Sequence, residues 1–343
     1  MDFMDKWNQF LAARGAAAGD CASALTVADL ADGFVAPLTD LGLIAVTGED
    51  ACRFLHNQLT NDVEHLGDNE VRLAGYCSPK GRLMATFLMW RDADSIFLQL
   101  PRAIQAPLQQ RLHMFVLRAK AKLFDASGDQ VVFGLGGAKA ENVLKSMFDT
   151  LPPTPYSKQE HALGTLIRVA DAFGSPRFQW LTSAATAHSV WPPLTAALAT
   201  GGNEAWHLSQ VHAGVPQIEP ATQEKFVPQM VNFELLGGVN FKKGCYPGQE
   251  IVARSQYLGK LKRRTTLVTI PDATAKAGDE VFAPSDPAQP CGMVVNAAAN
   301  GAGGVDALVE MKMTAIGEGD ARLGSASGVV LQFLSLPYAI GEL

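Results

Sequence analysis

The stretch FKKGCYPGQEIVAR, which occupies residues 241–254, places a cysteine between two lysines and a proline–glycine step. Glycine and proline on either side of Cys245 predict a tight turn. Lys242 and Lys243 would stabilise a thiolate there, and so would the first turn of a helix that we expect to begin near Gln249. The residue types therefore indicate a reactive or ligand-facing thiol. A small buried cysteine inside a tight loop is the structural alternative, because cysteine is among the most often buried residue types.

The same part of the chain is cationic although the whole protein is acidic. The net charge of the 343 residues is −6, and this balance argues against strong direct binding of nucleic acid. Residues 242–264 nevertheless carry a net charge of +6, from seven basic residues and one acidic residue. A second basic cluster contains no acidic residue: Arg111, Arg118, Lys120 and Lys122. Such runs often form a solvated face, but beside a glycine–proline loop the first one also suggests an anionic ligand.

Other patterns of chemical interest are weaker. The glycine-rich stretch at residues 131–144 has Lys139 where a dinucleotide-binding fingerprint needs its last glycine, so it predicts an ordinary strand–helix turn. His207 and His212 are five residues apart on a predicted helix, whereas metal ligands on one helical face are three or four apart, so we expect no metal site. Trp206, on the same helix, offers a flat face for a ligand, although aromatic residues on such helices usually belong to the core.

Length and composition describe an ordinary globular protein. Its 343 residues, 48% of them hydrophobic and 18% charged, suffice for two or three domains. The longest apolar run, at residues 83–90, is too short to cross a bilayer, and the N-terminus lacks the pattern of a secretory signal. Five widely spaced cysteines without a C-x-x-C pair argue against a disulfide framework. We therefore expect a cytoplasmic protein without membrane contact, and a monomer.

Hydrophobic periodicity and turn residues predict interleaved helices and strands up to residue 264. Strands are predicted at residues 71–77, 83–90, 95–100, 120–124, 131–135, 163–170 and 177–182. Helices are predicted at residues 102–117, 138–148, 191–199 (begun by Pro192 and Pro193) and within 203–214 (capped by Asn203 and ended by Gly214). After residue 264 short strands alternate with turns, which predicts a small β-barrel. The fold class is therefore α+β, with an all-β unit at the C-terminus.

Residues 214–254 resemble the signature of the YgfZ family of folate-binding proteins. The core pattern K-G-C-Y-x-G-Q-E-x-V-A-R matches from Lys243 to Arg254. The stretches LGLIAVTGEDACRFLHNQLTNDV (41–63) and YCSPKGRLM (76–84) also look like this family, in the expected order. The resemblance covers essentially the whole chain, and its N-terminal parts are shared with the aminomethyltransferase, or T-protein, of the glycine cleavage system.

The resemblance implies a fold of three domains arranged as a ring around a central cavity, with a C-terminal β-barrel. We assign residues 1–125 and 200–262 to a discontinuous folate-binding α+β domain, 126–199 to a second α+β domain and 263–343 to the barrel. The resemblance also implies a ligand, tetrahydrofolate or a one-carbon derivative. It implies a role in assembling or maintaining iron–sulfur clusters, including those of radical enzymes that modify tRNA. The expected partners are iron–sulfur proteins or their assembly machinery.

A folate has a flat pterin and an anionic glutamate tail, which suit Trp206 and the lysine-rich loop. Cys245 is the candidate catalytic thiol. The expected folate-binding residues are Trp206, His212, Lys242, Lys243, Gly244, Tyr246, Gln249, Glu250 and Arg254.

Four positions depart from the pattern of the relatives. The aminomethyltransferase carries a pair of aspartates, one of them catalytic, where this chain has Ala85 and Thr86, so glycine cleavage activity is not expected. His212 stands where relatives usually have a glutamate that reads the pterin, and Leu41 where some have an aromatic residue. The leading hypothesis is a folate-binding accessory protein. The alternatives are a folate-dependent one-carbon transferase that uses Cys245, and a thiol enzyme unrelated to folate.

Overall fold

The computed structural model describes residues 3–12, 25–257 and 261–340, which form three β-sheets with helices packed on and between them. The strands are β1 (Phe34–Pro37), β2 (Leu41–Thr47), β3 (Val71–Cys77), β4 (Leu83–Asp92), β5 (Ser95–Pro101), β6 (Lys122–Asp125), β7 (Val131–Gly136), β8 (Ser157–His161), β9 (Gly164–Ala172), β10 (Ser175–Thr182), β11 (Ala199–Thr200), β12 (Arg263–Ile270), β13 (Glu280–Ala283), β14 (Asp286–Ala299), β15 (Val305–Lys312), β16 (Arg322–Leu323) and β17 (Gln332–Leu334). The helices are α1 (Phe3–Ala12), α2 (Val27–Asp32), α3 (Ala51–His56), α4 (Arg102–Met114), α5 (Ala140–Lys145), α6 (Ala184–Ala197), α7 (Asn203–His212), α8 (Gln249–Tyr257) and α9 (Met313–Glu318).

The first sheet has the strand order β11–β1–β7–β10–β9–β8. Its strand β7 is rich in glycine because aromatic side chains lie directly on it. A Cβ at Gly134 would come within 2.3 Å of the Trp206 ring, and a Cβ at Gly136 within 2.7 Å of the Phe34 ring. The glycine-rich stretch therefore makes room for aromatic packing.

The second sheet is formed by residues 41–125 and has the order β3–β4–β5–β2–β6, with antiparallel neighbours throughout. Helix α4 covers one of its faces, where Leu108 and Leu112 share an apolar cluster with Ile44 and Val46. Strand β6 is the last strand on one side of this sheet.

The third sheet has the order β16–β13–β14–β15–β12–β17 and curls into a half-barrel. This confirms the expected C-terminal β unit, to which the structure adds the short helix α9. Helix α7 lies between the first and the third sheets, where it contacts β1, β7 and β9 on one side and β14 and β15 on the other.

Two helices have other N-terminal capping residues than predicted. Helix α6 begins at Ala184, where the Ser183 hydroxyl accepts a hydrogen bond from the Thr186 amide at 3.2 Å, so Pro192 and Pro193 lie inside the helix. The predicted start at the prolines is wrong because a better capping residue precedes them. Helix α7 is capped by Gly202, and the side chain of Asn203 instead bonds the Thr39 amide and hydroxyl, both at 2.9 Å.

The chain crosses between sheets more often than a simple division suggests. Strand β1 pairs with β7 and β11 in the first sheet, and the chain then builds the whole second sheet before it returns at β7. The domain boundaries at residues 125/126 and 199/200 stay a prediction. These boundaries place β1 in the first domain, whereas β1 pairs with β7 and β11 of the first sheet.

Candidate functional site

Two glycine turns, far apart in sequence, hold the cysteine loop. Gly248 has a φ of +78°, and a Cβ there would come within 2.4 Å of the Ser78 carbonyl oxygen and 2.6 Å of Gly81. Gly81, with a φ of +69°, packs in turn against Ile251 at the start of α8. The SPKGR turn and the GCYPGQE turn therefore form one structure, and Cys245 is exposed at its surface.

Lys243 stabilises the loop from inside. Its ammonium donates hydrogen bonds to the carbonyl oxygens of His56, the last residue of α3, and, at 2.8 Å, of Leu59 just beyond it. The ammonium also lies 4.9 Å from the centre of the Tyr246 ring. Cations are favoured at this end of a helix, where carbonyl groups lack partners. Burial lowers the pKa of Lys243 to about 8, although Asp62 acts in the opposite direction. Lys243 is thus engaged by the protein rather than free for a glutamate tail.

Two cations of this stretch form internal ion pairs. Arg264 is buried with Glu234 at 2.5 Å, and Arg263 binds the carboxylate of Glu310. The exposed members among the described residues are Lys242, Arg254 and Lys262; Lys260 lies outside the described residues. The cationic surface beside the cysteine is therefore smaller than the sequence suggests.

The other residues of the motif have mainly structural contacts. Tyr246 is buried under Lys243, and the Gln249 amide lies 3.5 Å from the Gly244 carbonyl oxygen. Glu250 and Gly244 are exposed. None of residues 241–254 is among those that line the central cavity described next.

A narrow polar cavity lies where the first two sheets, α7 and the segment after it meet. Its space of about 40 Å³ has room for about three water molecules. The lining combines apolar side chains, Trp206 and a set of polar groups: Thr86, Gln99, Tyr156, Arg177, Gln179, Gln210 and Gln217. Smaller spaces adjoin it on both sides and share lining residues with it.

Arg177 is the unusual group in this cavity. Its side chain is fully buried, and its guanidinium carbon lies 4.7 Å from the centre of the Trp206 ring. The guanidinium donates to the Ala170 carbonyl, the Ser209 hydroxyl and the Gln210 amide oxygen, but forms no ion pair with a described carboxylate. Burial lowers its pKa to about 10.

Two other lining atoms are buried without a hydrogen-bond partner among the described residues. They are the hydroxyl oxygen of Tyr156 and the amide oxygen of Gln179. Burial raises the pKa of Tyr156, so this hydroxyl keeps its proton and is available as a donor. Buried polar groups are normally satisfied. The cavity therefore offers one cation, one donor and one acceptor to a ligand.

The structure places His212 away from this cavity. Its imidazole lies 2.6 Å from the Asp306 carboxylate on β15 and packs against the Phe173 ring. Hydrogen bonds from His212 and others hold the pKa of Asp306 below its usual range although burial opposes this. The prediction that His212 takes the pterin-reading position is therefore not supported by its contacts, because its imidazole is directed at the third sheet.

Gln210 lies in the cavity instead of His212. It is four residues after Trp206 and so shares its helical face, which the 3.6-residue period could have indicated. Arg177, Tyr156 and Gln179 come from the first sheet and its preceding loop, and no local pattern marks them.

Two of the positions at which the sequence departs from its relatives, Leu41 and Thr86, line this cavity. Thr86 lines the cavity, and its hydroxyl accepts a hydrogen bond from the Ile218 amide at 3.1 Å. Leu41 also lines it, whereas Ala85 is buried in the core of the second sheet. No carboxylate is among the lining residues of this cavity in the described part of the chain.

The thiol of Cys245 and the cavity are separate sites, and strand β4 connects them. Strand β4 begins at Leu83 next to the SPKGR turn, where the Leu83 amide bonds the Phe226 carbonyl at 2.8 Å. The same strand reaches the cavity at Thr86 and Leu88. Within residues 3–12, 25–257 and 261–340, no cluster of metal ligands occurs and no helix is long and apolar enough to cross a membrane.

Known structures identify the class of fold. A family model described as the GCVT N-terminal domain matches residues 28–162. The crystal structure of glycine cleavage system aminomethyltransferase T from Bartonella henselae superposes with a TM-score of 0.75 over 96% of each chain, at 16% sequence identity. The fold is that of the aminomethyltransferase T-protein.

Known sequences identify the family within that class. The tRNA-modifying protein YgfZ of Escherichia coli O157:H7 (strain EC4115 / EHEC) is 31% identical over 232 residues, which are 68% of this chain and 70% of that protein. The tRNA-modifying protein YgfZ of Shigella boydii serotype 4 (strain Sb227) is 30% identical over 231 residues, 67% of this chain and 70% of that protein. The chain belongs to the YgfZ family.

Proposed function

We propose that this protein binds tetrahydrofolate, or a one-carbon derivative of it, in the central cavity, and that it supports iron–sulfur enzymes that modify tRNA. The name of its relatives, tRNA-modifying protein, supports the second part. The observation that carries the first part is the buried Arg177 against the Trp206 ring, without a carboxylate partner in the described part of the chain.

The polar lining fits a pterin in chemical terms. A pterin is flat and carries hydrogen-bond donors and acceptors around its edge. Trp206 and Arg177 offer a surface for stacking, and the amides of Gln99, Gln179 and Gln210 can both donate and accept. The cavity must widen to admit a bicyclic ring, because its present space holds about three water molecules. We infer that side chains of the lining move on binding.

The exposed thiol has a different task in this proposal. Cys245 does not line the cavity, so its thiol faces solvent and an approaching protein rather than the bound ligand. Contacts of Lys243 and Gly248 hold the backbone of the loop that carries this cysteine. We propose that Cys245 acts towards the iron–sulfur partner.

A titration of reduced folates tests the proposal. Tetrahydrofolate should quench the fluorescence of the wild-type protein, and Trp206→Phe should lose most of this signal and bind more weakly by about 0.5–1.5 kcal/mol. Trp191→Phe is the matched control, because Trp191 is buried in the separate core of the first sheet and should keep the wild-type affinity. Flat calorimetry at saturating tetrahydrofolate would contradict the proposal.

The transferase alternative has less support. A methylene transfer of the aminomethyltransferase type needs a carboxylate at the reacting atoms, and the described cavity lining has Thr86 there and no acid. We therefore expect no detectable transfer of a methylene group from aminomethylated carrier protein to tetrahydrofolate. A robust rate, measured as methylenetetrahydrofolate formed, would favour this alternative over the accessory role.

A further inference from the structure

Strand β6 leaves one side of the second sheet open. It pairs with β2 in the register Ile44↔Asp125 to Thr47↔Lys122, and the Ala126 amide bonds the Leu43 carbonyl at 2.9 Å. Hydrogen-bonded pairs alternate along an antiparallel ladder. The backbone groups of Lys122 and Phe124 therefore face β2, while those of Leu123 and Asp125 face outward. Among the described residues none bonds these outward groups.

A groove runs beside this open edge. It has a volume of about 500 Å³, against about 40 Å³ for the central cavity. Helix α4 forms one wall and strand β6 the other. The lining residues on α4 are Arg102, Gln105, Ala106, Gln109, Gln110 and His113, and those on β6 are Leu123 and Asp125. The residues of β6 with free backbone groups are thus the ones that border the groove.

Exposed apolar side chains are concentrated at the end of α4, in the loop after it and on β6, although none of them lines the groove. Nine large hydrophobic side chains are exposed in the described part of the chain, and four of them lie within residues 114–124: Met114, Phe115, Leu117 and Phe124. Leu117 is 86% exposed and has a φ of +47°, a backbone conformation that bulky residues rarely adopt. A local concentration of exposed apolar surface marks an interaction site.

The charge at this edge is positive. The second basic cluster of the sequence lies here, on α4, β6 and the loop between them. Lys120 of this cluster pairs with Glu49 at 2.7 Å, whereas Lys122 is exposed on the face of β6 opposite the groove. Asp125, the acid of the groove, already accepts hydrogen bonds from the amide and hydroxyl of Ser127. The site therefore favours a partner with acidic side chains.

We propose that the edge of β6 and the groove beside α4 bind an extended acidic peptide segment of a partner protein by strand addition. The segment adds a sixth strand to the second sheet through the free backbone groups of Leu123 and Asp125. Successive side chains of a strand point to opposite faces. Apolar side chains of the segment then enter the groove, and acidic ones lie beside Lys122 on the other face, where opposite charges across strands are favourable.

Two other occupants fit this edge less well. Single-stranded nucleic acid would satisfy the cations, but its phosphates cannot match backbone donors and acceptors at strand spacing, and the Asp125 carboxylate would repel them. A second copy of this chain, paired edge to edge, would bring the same basic cluster opposite itself, and like charges across strands are unfavourable.

The test uses a fluorescent, end-blocked octapeptide of alternating valine and glutamate, titrated with the full-length protein. We expect a dissociation constant below about 1 mM, and one at least tenfold higher when lysine replaces each glutamate. Two further peptides carry N-methyl groups either on every valine or on every glutamate. Because only alternate amides of an added strand face the sheet, one methylated peptide should lose binding and the other should keep it.

Variants of α4 locate the binding. Ala106→Trp fills the groove and should weaken the binding of the valine–glutamate peptide at least tenfold. Ala103→Trp is the matched control, since Ala103 is exposed on the same helix but does not line the groove, and it should bind as the wild type. Thermal melting checks that both variants fold. Four results would each overturn the proposal: no binding of the peptide at about 1 mM, equal binding of both methylated peptides, tighter binding of octauridylate than of the peptide, or a dimer of the free protein that Ala106→Trp abolishes.

Discussion

The guanidinium of Arg177 lies 4.7 Å from the centre of the Trp206 ring, and Gly134 leaves the space that this ring occupies. A desolvated cation over an aromatic ring is worth about 2 kcal/mol, which offsets only part of the cost of burying a charge without a counter-ion. Buried ionisable groups with strongly perturbed pKa values cluster at functional sites. The pair therefore indicates a binding site rather than a packing arrangement.

Arg177→Met tests this interpretation. We expect the variant to lose at least about 1.4 kcal/mol of affinity for tetrahydrofolate, a tenfold change, because the ligand loses the buried cation of the cavity. The free energy of unfolding should fall by less than about 2 kcal/mol, since the variant removes a buried charge together with its desolvation cost. Calorimetry with tetrahydrofolate and urea unfolding measure the two quantities.

Arg264→Met is the matched control for that prediction. Arg264 is buried too, but it pairs with the buried carboxylate of Glu234 at 2.5 Å. Its removal leaves this carboxylate without a partner and should cost about 3–5 kcal/mol of unfolding free energy. If Arg177→Met is as destabilising as Arg264→Met and binds folate normally, Arg177 has a structural role only.

Gly134→Ala should perturb the folate cavity by displacing the Trp206 ring. The added Cβ would lie 2.3 Å from the Trp206 ring, so the ring must move at a cost of about 1–3 kcal/mol. We expect a shifted tryptophan emission spectrum, a lower midpoint of urea unfolding and weaker folate binding. Gly128→Ala is the control, because a Cβ there meets nothing within 4 Å. Equal behaviour of the two variants would show that Trp206 has free space against β7.

The regular elements were largely predictable from the sequence because local patterns determine them. The strand at Val71–Cys77 and the strand that begins at Leu83 flank a glycine turn and were found at those residues. Helix α6 was misplaced because Pro192 and Pro193 favour a helix start, whereas the Ser183 cap, nine residues before Pro192, decides the start in the folded chain.

The site was only partly predictable. Cys245 and Lys243 stood out by type and spacing, but only tertiary structure shows that Lys243 binds carbonyl groups at the end of α3 and just beyond it. Arg177 carries no local signal, because its importance comes from burial against Trp206, a residue 29 positions away on another element. His212 was predicted from a motif position, and its actual partner, Asp306, belongs to the third sheet.

Cys245 should be the most reactive of the described cysteines towards iodoacetamide. Cys77 is buried, and burial raises its pKa to about 12; burial also raises the pKa values of Cys52 and Cys291. Cys245 alone among the described cysteines is exposed. Mass spectrometry of the protein alkylated at neutral pH should find the label there first. Tetrahydrofolate should give no protection, because Cys245 does not line the cavity.

The corresponding variant separates the role of the thiol from the fold. Cys245→Ala should leave the free energy of unfolding within about 0.5 kcal/mol of the wild type, as for other exposed positions, and keep folate binding. It should fail to support iron–sulfur enzymes in cells that lack the native protein. Cys77→Ala is the control, with lower stability from lost core packing but intact support. If Cys245 is labelled slowly and Cys245→Ala fully supports iron–sulfur enzymes, this cysteine has only a structural role in the turn.

Lys243 should make stability depend on alkaline pH. Burial lowers its pKa in the folded protein to about 8 from an ordinary 10.5. Between these values the unfolded chain binds more protons than the folded one, so the free energy of unfolding contributed by this group rises with pH. Below pH 8 both states are protonated, and the folded state carries the cost of the buried cation. The difference in unfolding free energy between wild type and Lys243→Met should therefore increase from about pH 8 to about pH 10 in urea titrations.

Lys242→Met, which removes an exposed neighbour, should follow the wild type at every pH. If the Lys243→Met and wild-type curves stay parallel over this range, the ammonium is compensated fully by the carbonyl oxygens of His56 and Leu59.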